Sequence, residues 1–211
     1  MAKRRIIVLG AGGFAREVAW LIGDIGGDLE FIGFAVSDLS KLGPHDSTDR
    51  VLGDLDWLRG HQDRFEGLAL GIGNPAVRLR LPKELDFGDD RWPPLVHPSA
   101  HFDRKSCKVG PGVLLCANVI GTVNLDFEPF SMLNLSCTVG HEARIGRGSV
   151  LNPTVNVSGG VNIGEGVLVG TGAQLLQYTV IGDGATVGAG AVVTRDVPPG
   201  ATVIGMPAKP K

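Results

Sequence analysis

The stretch GHEARIG, residues 140–146, sets a histidine directly before a glutamate, and His141 is the only histidine between residues 109 and 193. An imidazole can take a proton from an attacking amine or hydroxyl near neutral pH. A carboxylate beside it, here Glu142, can hold the tautomer and stabilise the imidazolium. Eighteen residues on come Gly159 and Gly160, two positions without side chains where a slender ligand could lie against backbone. Near the other end, Gly10-Ala11-Gly12-Gly13-Phe14-Ala15 follows an apolar run and precedes a helical pattern. Free N–H groups and a helix dipole at such a turn favour an anion such as a phosphate. An NAD site would want an acidic residue at the end of the second strand, where Phe34-Ala35-Val36-Ser37 stand and Asp38 arrives late. The turn therefore suits a nucleotide diphosphate group other than NAD.

The elements that position His141 follow from a repeat. Stepping by six from Val109 through Val139, Ile145 and Leu151 to Val193 gives fifteen anchors, all apolar except Gly121. Two residues before each anchor the side chain is small or valine, except at Leu125. The residue after the anchor is often glycine, or asparagine at 134 and 152, types that tolerate the positive φ of a tight turn. A period of six matches neither a helix nor a hairpin, but it does match short parallel strands joined by turns in a hexapeptide β-helix of about five triangular coils. Residues eighteen apart then stack, which places Gly159 over His141.

Residues 1–95 follow a different pattern. RRIIVLGAGGFAREVAWLIGDIG gives a β run, a glycine turn and a helix with Phe14, Val18, Leu21, Ile22 and Ile25 on one face. A second strand is predicted over 31–36, a helical turn in DLDWLRG, a third strand in GLALGIG, and a helix from Pro75 capped by Asn74. This alternation predicts a small Rossmann-like parallel sheet. Pro93, Pro94 and Pro98 mark the join, so the chain divides into an α/β unit, 1–95, and a solenoid unit, 96–211.

Composition narrows the function classes. With 211 residues, 43% of them hydrophobic, the chain can bury real cores, and a formal charge of -2 without basic clusters argues against nucleic acid and anionic membrane as partners. The apolar run after the basic head MAKRR, Ile6 to Leu9, is too short for a signal h-region or a membrane span. Three widely spaced cysteines form neither a disulfide framework nor a metal motif, which suits a reducing cytoplasm.

Taken together, the GAGG-type β-α-β unit, GIGNP followed by Arg78, VHPSA at 96–100, the hexapeptide run, VGTGAQLLQYTVIGDGATVGAGAVVTRDVPPG and the closing VIGMPAKPK resemble sugar O- and N-acyltransferases of the NeuD/PglD type. The resemblance covers essentially the whole chain. It implies a left-handed β-helix, a homotrimer with active sites between subunits, acetyl-CoA as co-substrate, and an amino sugar, often nucleotide-linked, as acceptor. The implied reaction is N-acetylation, of a 4-amino-4,6-dideoxy sugar in bacterial surface-glycan synthesis, with O-acetylation of a sugar or sialic acid as the alternative. Position by position, it makes His141 the base and Glu142 its acid partner, turns the Gly159 amide to the acetyl carbonyl with Gly160 beside it, and places Asn134 near the acceptor sugar. It lays Pro207 and Lys209 along CoA, and it assigns Gly10, Gly12, Gly13, Phe14 and Asn74 to the nucleotide sugar. Two features depart from many relatives: Val36-Ser37 replace paired aspartates, and Phe14 replaces a histidine. No metal is expected, because a zinc hydratase on the same solenoid would need several histidines on neighbouring coils. A non-catalytic binding module is the remaining alternative. No cysteine is placed to carry an acetyl group, so direct transfer through a ternary complex is expected.

Overall fold

The computed structural model describes residues 3–211. Its first part holds β1 (Arg4–Leu9), α1 (Gly13–Ile25), β2 (Leu29–Val36), β3 (Val51–Asp54), α2 (Leu55–Gly60), β4 (Gly67–Leu70) and α3 (Pro75–Leu85). The four strands are parallel in the order β3-β2-β1-β4. Ile6, Ile7, Val8 and Leu9 are all buried, as a central strand covered on both faces requires. Helix α1 buries Ala15, Val18, Leu21 and Ile22 and ends at Gly26, whose N–H returns to the Ile22 carbonyl. In α3 the Asn74 side chain accepts from the Val77 N–H at 3.2 Å, and Pro75 occupies the first turn. Strand β3 is the one strand of this part that the sequence pattern missed. It is four residues long and contains Gly53, where a Cβ would sit 2.5 Å from that of Trp57, so packing of the indole rather than strand propensity fixes the residue.

The solenoid consists of fifteen two-residue strands from Lys108–Val109 to Val192–Val193, each ending on one of the predicted anchors. They stack in three parallel sheets with partners eighteen apart, as in Met132↔Val150, Thr138↔Asn156 and Arg144↔Asn162. The interior is one continuous cluster of anchors and small residues, including Val139, Ile145, Val157, Val161 and Ile163.

The turn chemistry differs from expectation. Positive φ falls three residues after the anchor, at Gly112, Asn118, Asn124, Phe130, Ser136, Glu142, Gly148, Thr154, Gly160 and Tyr178, and not at the residue directly after it. Glycines at that earlier position are needed for a different reason. A Cβ on Gly140 would lie 2.5 Å from the Gly159 nitrogen, and one on Gly146 would collide with the Gly164 carbonyl. Close approach of successive coils therefore selects them.

One face of the solenoid packs on the α/β unit. Leu95, Leu114, Met132 and Val150 point outward into a cluster with Ala11, Ala15, Val18, Leu21 and Ile22. Each such side chain contributes roughly 1.5–3 kcal/mol on burial. Beside this cluster the wholly buried Arg78 donates from Nε to the Phe130 carbonyl at 2.8 Å and from one terminal nitrogen to the Leu70 and Ile72 carbonyls at 3.2 and 3.0 Å. The Trp92 ring meets Phe130 edge-on at 5.2 Å. Apolar packing and a buried guanidinium thus fix the end of β4 against a solenoid corner. Among the described residues, no helix is long and apolar enough to cross a membrane.

Candidate active site

His141 and Glu142 lie on the corner between the strands Thr138–Val139 and Arg144–Ile145. The His141 carbonyl accepts from the Gly160 N–H at 2.8 Å, and the Glu142 N–H donates to the Val123 carbonyl at 3.0 Å, so coils above and below hold the pair. Both side chains are more than half exposed. Nδ1 of His141 stands 3.5 Å from a Glu142 carboxylate oxygen, within ion-pair reach but longer than a good hydrogen bond. A protonated imidazole would be stabilised there without being locked. Nε2 faces Gly159, where an added Cβ would lie 2.5 Å from that nitrogen. The ring therefore rests on a position that only glycine can fill. Among the described residues, the Gly159 N–H donates to no acceptor, while its carbonyl accepts from the Tyr178 N–H at 3.1 Å. A free amide beside an exposed imidazole is the arrangement that acyl transfer needs, a base for the nucleophile and a donor for the oxygen that gains charge.

The glycine turn leads to a second place. A cavity of about 320 Å³ opens at the carboxyl ends of β1, β2 and β4, where the strand order reverses on either side of β1. Open α/β sheets bind ligands at such a point. Gly10, Ala11, Val36, Leu42, Leu55, Ile72, Val77 and Leu81 supply apolar walls, and Ser37, Asp38, Lys41, Asp46 and Arg80 the polar groups. Asp38 is lowered from the ordinary carboxylate value because Ser40 and Lys41 donate to it. Gly10 has φ 105 and packs against the Gly71 carbonyl, so its conformation and its contact both exclude a side chain. None of the lining residues comes from the solenoid.

The structure separates the remaining candidates. Gly12 and Gly13 form the start of α1, where Gly12 provides no side-chain cap and the Asp46 carboxylate approaches Gly12. Phe14 is half-buried against the α/β core and does not line the cavity. Asn74 spends its side-chain oxygen on the α3 cap. Asn134 lies one corner away from His141, mostly buried, its side-chain oxygen accepting from the Leu135 N–H at 2.7 Å. Pro207 and Lys209 belong to a tail in which Lys209–Pro210 pairs antiparallel with Thr202–Ile204 and Ala208 N–H donates to the Val192 carbonyl. The sequence reading missed Lys41, Asp46 and Arg80. Their signal was weak, because a long loop after β2 and an exposed helix face are ordinary places for charge.

Burial pushes the Cys116 thiol up to about 12 and that of Cys137 up to about 11. Cys116 shares a small apolar cavity with His97, Trp20 and Leu135, yet such a thiol is inert at neutral pH. Iodoacetamide is therefore expected to leave both unlabelled in the native protein and to modify them after denaturation; rapid native labelling of either would contradict this. Among the described residues, no three His, Cys, Asp or Glu side chains cluster to hold a metal.

Comparisons with known proteins place the chain in a family. The family described as PglD N-terminal domain matches residues 5–85, and bacterial transferase hexapeptide (six repeats) matches residues 160–195. The acetyltransferase domain of PglB from Neisseria gonorrhoeae is 30% identical with a TM-score of 0.85, over 99% of this chain and 100% of that one. PerB from Caulobacter crescentus, solved with CoA and GDP-perosamine, is 28% identical with a TM-score of 0.85, over 98% and 96%. WeeI from Acinetobacter baumannii is 29% identical with a TM-score of 0.82, over 98% and 99%. No curated protein matches. A Rossmann-like sheet joined to a left-handed hexapeptide β-helix, aligned over almost its full length with these proteins, makes the chain a member of the NeuD/PglD-type sugar acetyltransferases.

Proposed function

We propose that the protein transfers an acetyl group from acetyl-CoA to the amine of a nucleotide-linked amino sugar, of the 4-amino-4,6-dideoxy type. The observation that carries this reading is the His141 ring seated on Gly159 beside an unused amide. His141 accepts a proton from the acceptor amine as the nitrogen–carbon bond forms, and Glu142 stabilises the imidazolium. The Gly159 N–H donates to the carbonyl oxygen while it bears negative charge. The carbon–sulfur bond then breaks, and CoA leaves as the thiolate and takes a proton. Gly159 and Gly160 let the His141 and Tyr178 rings lie against backbone; the pantetheine arm runs past these rings, and Pro207 and Lys209 border its far end. PerB, crystallised with CoA and GDP-perosamine, supports a nucleotide-linked amine as acceptor.

The nucleotide occupies the cavity at Gly10, close to the start of α1. That cavity shares no residue with the His141 corner, which fits active sites that lie between subunits of a homotrimer. Exposed Ile120 and Val123 near this corner suit such a contact. Sedimentation is expected to give three times the 22.1 kDa chain mass. The chemical test is release of CoA thiol from acetyl-CoA in the presence of UDP-, GDP- and dTDP-linked 4-amino sugars and free sialic acids. Turnover on one amino sugar is expected; turnover on hydroxyl acceptors alone would replace N-acetylation with O-acetylation.

A further inference from the structure

Tyr178 is out of place by every local rule of this solenoid. It stands in the column Asn124, Glu142, Gly160, Tyr178, each member at positive φ and three residues after an anchor. Asparagine and glycine take that conformation readily, whereas a bulky aromatic is an outlier. The other aromatic in such a turn, Phe130, is explained by its burial against Trp92 and by the Arg78 bond to its carbonyl. The Tyr178 side chain is 68% exposed, and its hydroxyl has no partner among the described residues. One side of its ring lies against Gly160, so closely that a Cβ on Gly160 would collide with two ring carbons. Strain at an exposed residue, retained beside a site, points to a role there.

The ring stands one coil beyond Gly159 and Gly160, about 5 Å along the axis at the ordinary spacing of paired strands. Exposed Leu176 and Val180 flank it. The coil before His141 instead presents Val123 and Asn124 at the same corner, without bare backbone. The same corner therefore continues from the imidazole past Gly159 and Gly160 to Tyr178, toward the C-terminal end of the solenoid. We propose that Tyr178 is a binding residue for the acyl donor, its ring forming the wall against which the cysteamine end of the pantetheine arm packs. This rests on the proposed CoA path along Gly159 and Gly160. An aromatic face gives a thin, mostly apolar chain contact area at low entropic cost.

The test uses the full-length protein and CoA alone, by isothermal titration, with turnover measured in parallel. Tyr178→Gly, which suits the backbone, is expected to weaken CoA binding about tenfold and to raise KM for acetyl-CoA similarly. KM for the amino sugar and the sedimentation mass should not change, and Tyr178→Phe should stay within twofold of wild type. Unchanged CoA affinity in Tyr178→Gly would overturn the proposal, as would a change in oligomeric state, which would make the ring a subunit contact. Wild-type protein that binds no CoA would overturn the underlying path instead, a result distinct from a variant that binds as well as wild type.

Discussion

His141→Ala is expected to lower kcat about a thousandfold, within the 10²–10⁴ range that a positioned general base contributes. The side chain is more than half exposed and lies on the solenoid surface against Gly159, outside the core, so the circular dichroism spectrum and unfolding midpoint should match wild type. Gly159→Ala extends the argument. Its methyl group would stand 2.5 Å from Nε2 and push the ring off its seat, and a displacement on the order of 1 Å can cost about a hundredfold. The two changes should not be additive, because the second acts by misplacing the group that the first removes. Steady-state rates of the single and double variants check this. Activity of His141→Ala within tenfold of wild type would sink the assignment of the base.

Arg78→Ala is expected to destabilise the protein by roughly 3–5 kcal/mol, because a buried acceptor left unpaired costs about 1–3 kcal/mol and three carbonyls depend on this guanidinium. Those are Phe130, Leu70 and Ile72, two of them at the end of β4 and one in the solenoid. Burial alone drives the guanidinium down to about 9, still charged at neutral pH, so its carbonyl bonds offset a considerable desolvation cost. Urea unfolding checks the size of the loss. A change below about 1 kcal/mol would mean that water replaces the guanidinium and that apolar packing alone joins the two parts.

The solenoid was legible because its period is a steric demand repeated fifteen times; a residue eighteen further on must fill the same space. The glycine that follows many of the anchors was visible for the same reason, but its cause was not. Sequence alone cannot tell a glycine required by φ from one required by the neighbouring coil, as Gly140 and Gly160 illustrate. His141, Glu142 and Gly159 could be grouped in advance because stacking makes them neighbours. Lys41, Asp46 and Arg80 could not, since they meet Gly10 only through the fold of a loop and a helix with no fixed period. Asn134 stands directly after its anchor rather than at the positive-φ position, and its corner relative to His141 depends on which of three sheets each strand joins.

A stack of parallel strands ends in unpaired backbone, and such an edge is a template on which another chain can grow. Here the last coil turns back on itself. The antiparallel pairing of Lys209–Pro210 with Thr202–Ile204, and the bonds from Gly205 and Ala208 to Val192, cover that edge in two of the three sheets, while Val197 bridges to Ile181 in the third. The segment that carries Pro207 and Lys209 is thus also the stopper of the solenoid. Removing it would expose a growing end, so lost activity in a truncated chain would by itself say as much about self-association as about the donor substrate.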